Sequence, residues 1–188
     1  PVDFASEQSR LTGMSASLSG LAANGSTQVQ YSSLVLTGDG SAGRQVFSVD
    51  ASQTSSVSEI KIENVANGTD VVINVAGTSV QVMNGGFMGF ANNLDHILFN
   101  FYEAETLGFA SVQGSILAPL ADITASYGQI NGQIVGNSWT GGAQVNLVTY
   151  EGTFTNPVDD VVVPEPGMAA LMGLALVGLG LARRRRAA

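Results

Sequence analysis

The sequence predicts a mainly β domain, a solenoid-like (β-helix) stack with one flanking α-helix, followed by a single C-terminal transmembrane helix. Three observations predict it. Short apolar runs separated by glycine-rich turns fill the chain from Gln28 onward. Helical periodicity is confined to residues 3–22. The fifteen residues Met168–Ala182 carry no polar side chain and run into four arginines. A two-sheet sandwich is the alternative arrangement of the same strands.

The 188 residues suffice for one domain with a real core plus an appendage. Charged residues are scarce and glycine numbers 23, which fits an ordered, turn-rich β domain and argues against disorder. The chain begins at Pro1 without a methionine, so an N-terminally truncated or processed product is expected, with any signal peptide upstream. The net charge of −8 hides an asymmetry. Without residues 164–188, three basic residues (Arg10, Arg44, Lys61) face fourteen acids, a net charge of −11. Such a body repels nucleic acid, which is bound through phosphate neutralisation by Lys and Arg. The absence of cysteine excludes disulfides and thiolate metal sites but assigns no compartment.

Taken in order, Phe4, Leu11, Met14, Leu18 and Leu21 form an apolar stripe, with Asp3 as N-cap and Asn24-Gly25 as the stop. No lysines stand opposite the stripe, so the helix is expected to lie against a sheet and not on a membrane surface. Val29 and Tyr31 alternate with polar residues, and Leu34-Val35-Leu36 runs into the turn Gly38-Asp39-Gly40. Strands follow at Val46–Val49, at Ile60–Ile62 with Glu59, Lys61 and Glu63 opposite, and at Val71–Val75 after the Asn67-Gly68 turn. Val80 and Val82 make the next strand, and Ile97, Phe99 and Phe101 share one face of another.

Gly114-Ser115-Ile116-Leu117-Ala118 recurs eighteen residues later as Gly132-Gln133-Ile134-Val135-Gly136. Short strands at a fixed period, with small residues at the corners, are the product of a β-solenoid. His96–Ala104, Gly114–Ala121 and Ile130–Ile134, with Val46–Asp50 and Val72–Gly77, resemble the choice-of-anchor A family over most of residues 3–154. The Gly-Ser-Ile-Leu-Ala-Pro and Asn-Gly-Gln-Ile pattern is also similar to the coils of ice-binding-like bacterial adhesins. The resemblance implies a surface protein followed by an anchoring signal. It also implies further coils before the helix.

The domain is expected over residues 1–155, a linker over 156–163 and a sorting segment over 164–188. As a helix, Met168–Ala182 spans about 22 Å, short of the roughly 30 Å hydrocarbon core. Snorkelling of Arg183, Arg184, Arg185 and Arg186 and local thinning make up the shortfall. Met168, Leu171, Leu174, Leu176, Val177, Leu179 and Leu181 are the expected anchor residues, and the arginines stay cytoplasmic by the positive-inside bias. Val163-Pro164-Glu165-Pro166, an apolar Gly/Ala/Leu helix and a terminal arginine cluster together resemble the PEP-CTERM sorting signal over residues 163–187. The resemblance implies processing by an exosortase, with the tail held in the inner membrane and then cut near Pro164, Glu165 and Pro166. The mature product then resides at the cell surface or in the extracellular matrix.

No catalytic, metal or cofactor site is expected. His96, the single histidine, opens an apolar strand with no nucleophile-elbow pattern in the chain, and is read as structural. Glu103 and Glu105 would lie on one side of a strand as solvated acids, and Asp159 and Asp160 solvate the linker. Weak calcium binding by turn acids such as Asp39 stays open. Asn74, Asn100 and Asn131 are expected to bond within stacked turns. Trp139 and Tyr150 are candidate sugar-stacking aromatics whose simpler role is packing at the end of the stack. Thr124 and Thr140 stand isolated in the sequence, whereas ice binding needs regular threonine ranks. The expected function is a non-enzymatic, adhesive surface or matrix protein; the alternative is a carbohydrate-binding module for exopolysaccharide.

Overall fold

Asp3 accepts a hydrogen bond from the Ser6 N–H and so caps helix α1 (Phe4–Ser19), as its sequence predicts. The computed structural model describes residues 3–82 and 85–153, all within one unit, Pro1–Phe154. The helix stops at Gly20, a turn before the expected Asn24-Gly25. Its stripe is also narrower than the periodicity suggests. Leu18 is buried and Leu11, Met14 and Leu21 pack beside it, but Phe4 is 81% exposed.

The strands form three ladders. The first contains the antiparallel hairpin β1 (Ser26–Gln30) and β2 (Ser33–Thr37), then β4 (Glu59–Glu63) and β7 (Gly86–Met88), parallel to β2 and to each other. The second, largest ladder joins β3 (Gln45–Asp50), β5 (Val71–Ala76), β8 (Ile97–Asn100) and β11 (Ser115–Ala125), all parallel. It continues along the far half of β11 to β9 (Thr106–Gly108) and β6 (Ser79–Gln81), and β13 (Ile134–Gly141) pairs with the other edge of β11. Because β11 meets β8 with one half and β9 with the other, the sheet curls into a half-barrel. The third ladder holds β10 (Val112–Gln113), β12 (Gln129–Asn131) and β14 (Gln144–Asn146). A sandwich built from antiparallel hairpins is therefore replaced by parallel rungs, with β1–β2 the single antiparallel pair among the described residues.

Each rung lies one circuit of chain beyond its neighbour. Hydrogen-bonded residues on successive rungs are 26 residues apart early in the chain. Later they are 15 to 18 apart. The repeat visible in the sequence is a later one, Ile116 on Ile134.

Alternation along the large sheet divides its residues between two faces. Phe47, Val49, Ile73, Val75, Phe99, Ile116 and Ala118 fill the interior, where the Phe90 and Phe99 rings stack at 6.1 Å. Val46, Val72, Leu98 and Leu117 point outward and are covered by Leu18 of α1. Both faces are thus dry, so β5 reads as a continuous apolar run. Asn74 and Asn100 interrupt that outer face and bond to α1 and to each other. Asn100 Nδ2 donates to Asn74 Oδ1 (2.8 Å) and to the Ser15 carbonyl (2.9 Å), Ser15 Oγ donates to Asn100 Oδ1 (2.6 Å), and Asn74 Nδ2 donates to the Leu18 carbonyl (2.8 Å). Asn131 continues the theme in the third ladder, donating to Gln113 and accepting from Asn146. Stacked bonding of all three asparagines is as expected.

Glu103 and Glu105 do not share a strand. They sit in the turn before β9, where the Glu103 carboxylate accepts the Gly77 N–H at 2.7 Å and bridges adjacent rungs. Among the described residues no helix is long and apolar enough to cross a membrane. The expected span, the linker and the Pro164–Pro166 motif lie outside them.

Candidate ligand-binding face

The half-barrel's outer surface over β6, β9 and the C-terminal halves of β11 and β13 carries a pattern that the sequence hides. Val80, Leu107 and Ile123 point into the core in one register column, so their neighbours point out. One outward column is Ser79, Thr106, Asp122 and Ser138; the other is Gln81, Gly108, Thr124 and Thr140. Adjacent rungs lie about 4.8 Å apart, so these side chains form ranks. Thr124 and Thr140, isolated in the sequence, are direct neighbours. No local signal could have shown this, because a register shift between Ala118 and Asp122 alters the spacing from 18 residues to 16.

Hydrogen bonds organise the face. Thr106 Oγ1 donates to Ser79 Oγ (3.0 Å), and Asp122 Oδ1 accepts from Ser138 Oγ (2.6 Å) and Asn137 Nδ2 (2.9 Å). The short helix α2 (Ala51–Ser55), closed by a capping box between Asp50 and Gln53, forms a wall beside β6. Between them lies a groove of about 460 Å³, lined by Ser52, Ser55, Ser79, Thr106, Asp122 and Thr124 among others. The lining is hydroxyl-rich and holds one carboxylate.

The Ser138 hydroxyl, and then the Asn137 amide, hold the Asp122 carboxyl below the usual carboxylate range. The native state therefore binds this proton less readily than the unfolded chain. Its stabilising share is present above the unfolded value, near pH 4, and is lost as the pH falls through the folded one. Urea midpoints between pH 5 and pH 2.5 should fall less steeply for Asp122→Asn than for the native chain.

The two aromatic candidates take packing roles. Trp139, 39% exposed, continues the inward column of Ile123 and leans on Phe109 with centroids 6.2 Å apart. Tyr150 packs against the outer cluster of Val46, Val72, Leu98 and Leu117, where burial pushes its phenol up. A second, more apolar groove of about 670 Å³ runs past Trp139, Val145 and Leu147 at the end of the stack. His96 lies at the end of a 3₁₀ turn (Ala91–His96), with Nδ1 2.8 Å from Asp70 Oδ1. The sequence reading missed this partner. Asp39 spends its carboxylate locally, accepting from the Ser41 N–H (2.8 Å), Gln45 Nε2 (2.6 Å) and Asn24 Nδ2 (3.3 Å).

Parallel rungs curled into a half-barrel, with a polar rank on one outer face, define a mainly β class of domain. The family described as Putative Ice-binding-like adhesive domain matches residues 1–147, and the chain belongs to that family. A PEP-CTERM protein-sorting motif matches residues 162–186 and contains Pro164, Glu165, Pro166, the seven expected anchor residues and Arg183–Arg186. The chain is thus an exported surface protein with an adhesive-like domain and a signal for exosortase processing. No curated protein and no solved structure matches it.

Proposed function

We propose that residues 1–155 form a non-enzymatic β-solenoid adhesin of the choice-of-anchor A type that binds exopolysaccharide or surface glycans along its hydroxyl ranks. The groove beside α2 carries this reading. Its volume is within the range of small-ligand sites, about 300–1,000 Å³, and its Ser and Thr hydroxyls both donate and accept, matching the hydroxyls of a sugar. Asp122 and Gln81 break the threonine pattern, which favours a flexible hydrated polymer over a crystalline surface such as ice. In the same reading, Met168–Leu181 hold the unprocessed chain in the inner membrane, with the arginines cytoplasmic, until the exosortase cuts it.

A glycan array probed with the whole chain tests the face. Thr106→Ala combined with Asp122→Asn should weaken binding at least tenfold, about 1.4 kcal/mol, while Trp139→Ala leaves it unchanged. The reverse pattern would move the site to the apolar end groove. Hydrolysis of a bound polysaccharide would overturn the non-enzymatic reading.

A further inference from the structure

The last described stretch of chain forms a strap down one corner of the stack. Gln45, Val71 and Ile97 are in register, so the residues just before them, Arg44, Asp70 and His96, form a column. The strap follows that column. The Tyr150 N–H donates to Gln133 Oε1 (3.2 Å), the Glu151 N–H to the Asp95 carbonyl (2.7 Å), and the Thr153 N–H and hydroxyl to Asp70 Oδ2 (both 3.0 Å). The Arg44 guanidinium donates to the Thr153 carbonyl.

Where strap and corner meet, Asp95, His96 and Glu151 each offer one ligand atom, and these atoms lie within 4.8 Å of one another. Neither Asp95 nor Glu151 has a cationic side-chain partner among the described residues. The histidine is already oriented. The Asp70 carboxylate, 2.8 Å from Nδ1, holds the ring in place, the carboxylate–histidine arrangement that supports metal-binding imidazoles.

We propose that Asp95, His96 and Glu151 bind a divalent transition-metal ion of the zinc class, clasping the strap to the stack. One imidazole nitrogen and two carboxylate oxygens suit zinc, with remaining positions for water. Calcium, which takes oxygen ligands, would lose the histidine. Glu151 precedes the sorting motif in the chain, so the clasp stands between the binding face and the tail in sequence. The site is independent of the glycan-binding face.

The test uses the whole chain without a polyhistidine tag, freed of metal by EDTA. Zn²⁺ titrated by calorimetry should bind at one site per chain and raise the melting temperature, and EDTA should reverse the rise. Co²⁺ in the same site should give visible d–d absorption. Glu151→Gln should weaken Zn²⁺ binding at least tenfold without changing the metal-free melting temperature, and Glu105→Gln, remote from the cluster, should bind as the native chain does. Three results would overturn the proposal: no Zn²⁺ binding below millimolar concentration, undiminished binding by Glu151→Gln, or equal stabilisation by Ca²⁺.

Discussion

Replacing Asn100 with alanine should cost the domain about 3–5 kcal/mol, since two or more buried polar groups lose their partners at about 1–3 kcal/mol each. Asn100 is fully buried between α1 and the large sheet, and its amide makes three hydrogen bonds. Alanine strands the Ser15 hydroxyl and the Asn74 Oδ1 in a dry layer between Leu18 and Leu98, and removes the second bond to the Ser15 carbonyl, which keeps its place in the α1 ladder. Urea unfolding measures the loss. Asn74→Ala should cost less than Asn100→Ala, because Asn74 makes two of these bonds to the three of Asn100. The double variant should cost less than the two losses added, since the amides share one bond. Losses that simply add would mean that the ladder is not a unit.

Gly132→Ala should be comparably damaging for a steric reason. A methyl group there would sit 2.2 Å from the Gly114 carbonyl oxygen and 2.8 Å from the Ser115 nitrogen, both backbone atoms of the rung beneath. Rigid backbone cannot swing aside as a side chain can, so the rungs must part. The Gly132 N–H bond to Asn146 and the Gly114 N–H bond to Asn131, at 3.1 and 3.0 Å, would strain with them. Overpacking of this kind costs about 1–3 kcal/mol, and lost ladder bonds add about 1 kcal/mol each. Gly43→Ala is the control. Its nearest neighbour is a side-chain hydroxyl at 3.7 Å, and its effect should stay within about 0.5 kcal/mol.

Much of the β character was legible because it is a local property. Alternation placed β4 and β8, the apolar run Leu34–Leu36 placed β2, the Asn67-Gly68 turn introduced β5, and Asp3 marked the start of α1. The eighteen-residue repeat was legible because Gly114 and Gly132 both meet a steric demand that few residues satisfy. The 26-residue circuits were not. Their stacked positions, such as Val46 on Val72 on Leu98, keep apolar character without identity, and each circuit closes through a different turn. The sorting motif was legible, since such a signal is read as linear sequence.

The candidate sites divide along the same line. Hydropathy, turn chemistry and the terminal motif belong to neighbours in the chain, so the amino-acid order alone determined the β class, the helix α1 and export. Whether Thr124 meets Thr140, or His96 meets Asp70 and Glu151, depends on how far the chain travels before returning to the same corner. That distance is set by the length of each turn and by the shift within β11, and is fixed when side chains in the shared core come into register. Only the tertiary structure could decide it, because stacking energy belongs to pairs of rungs and to no single segment.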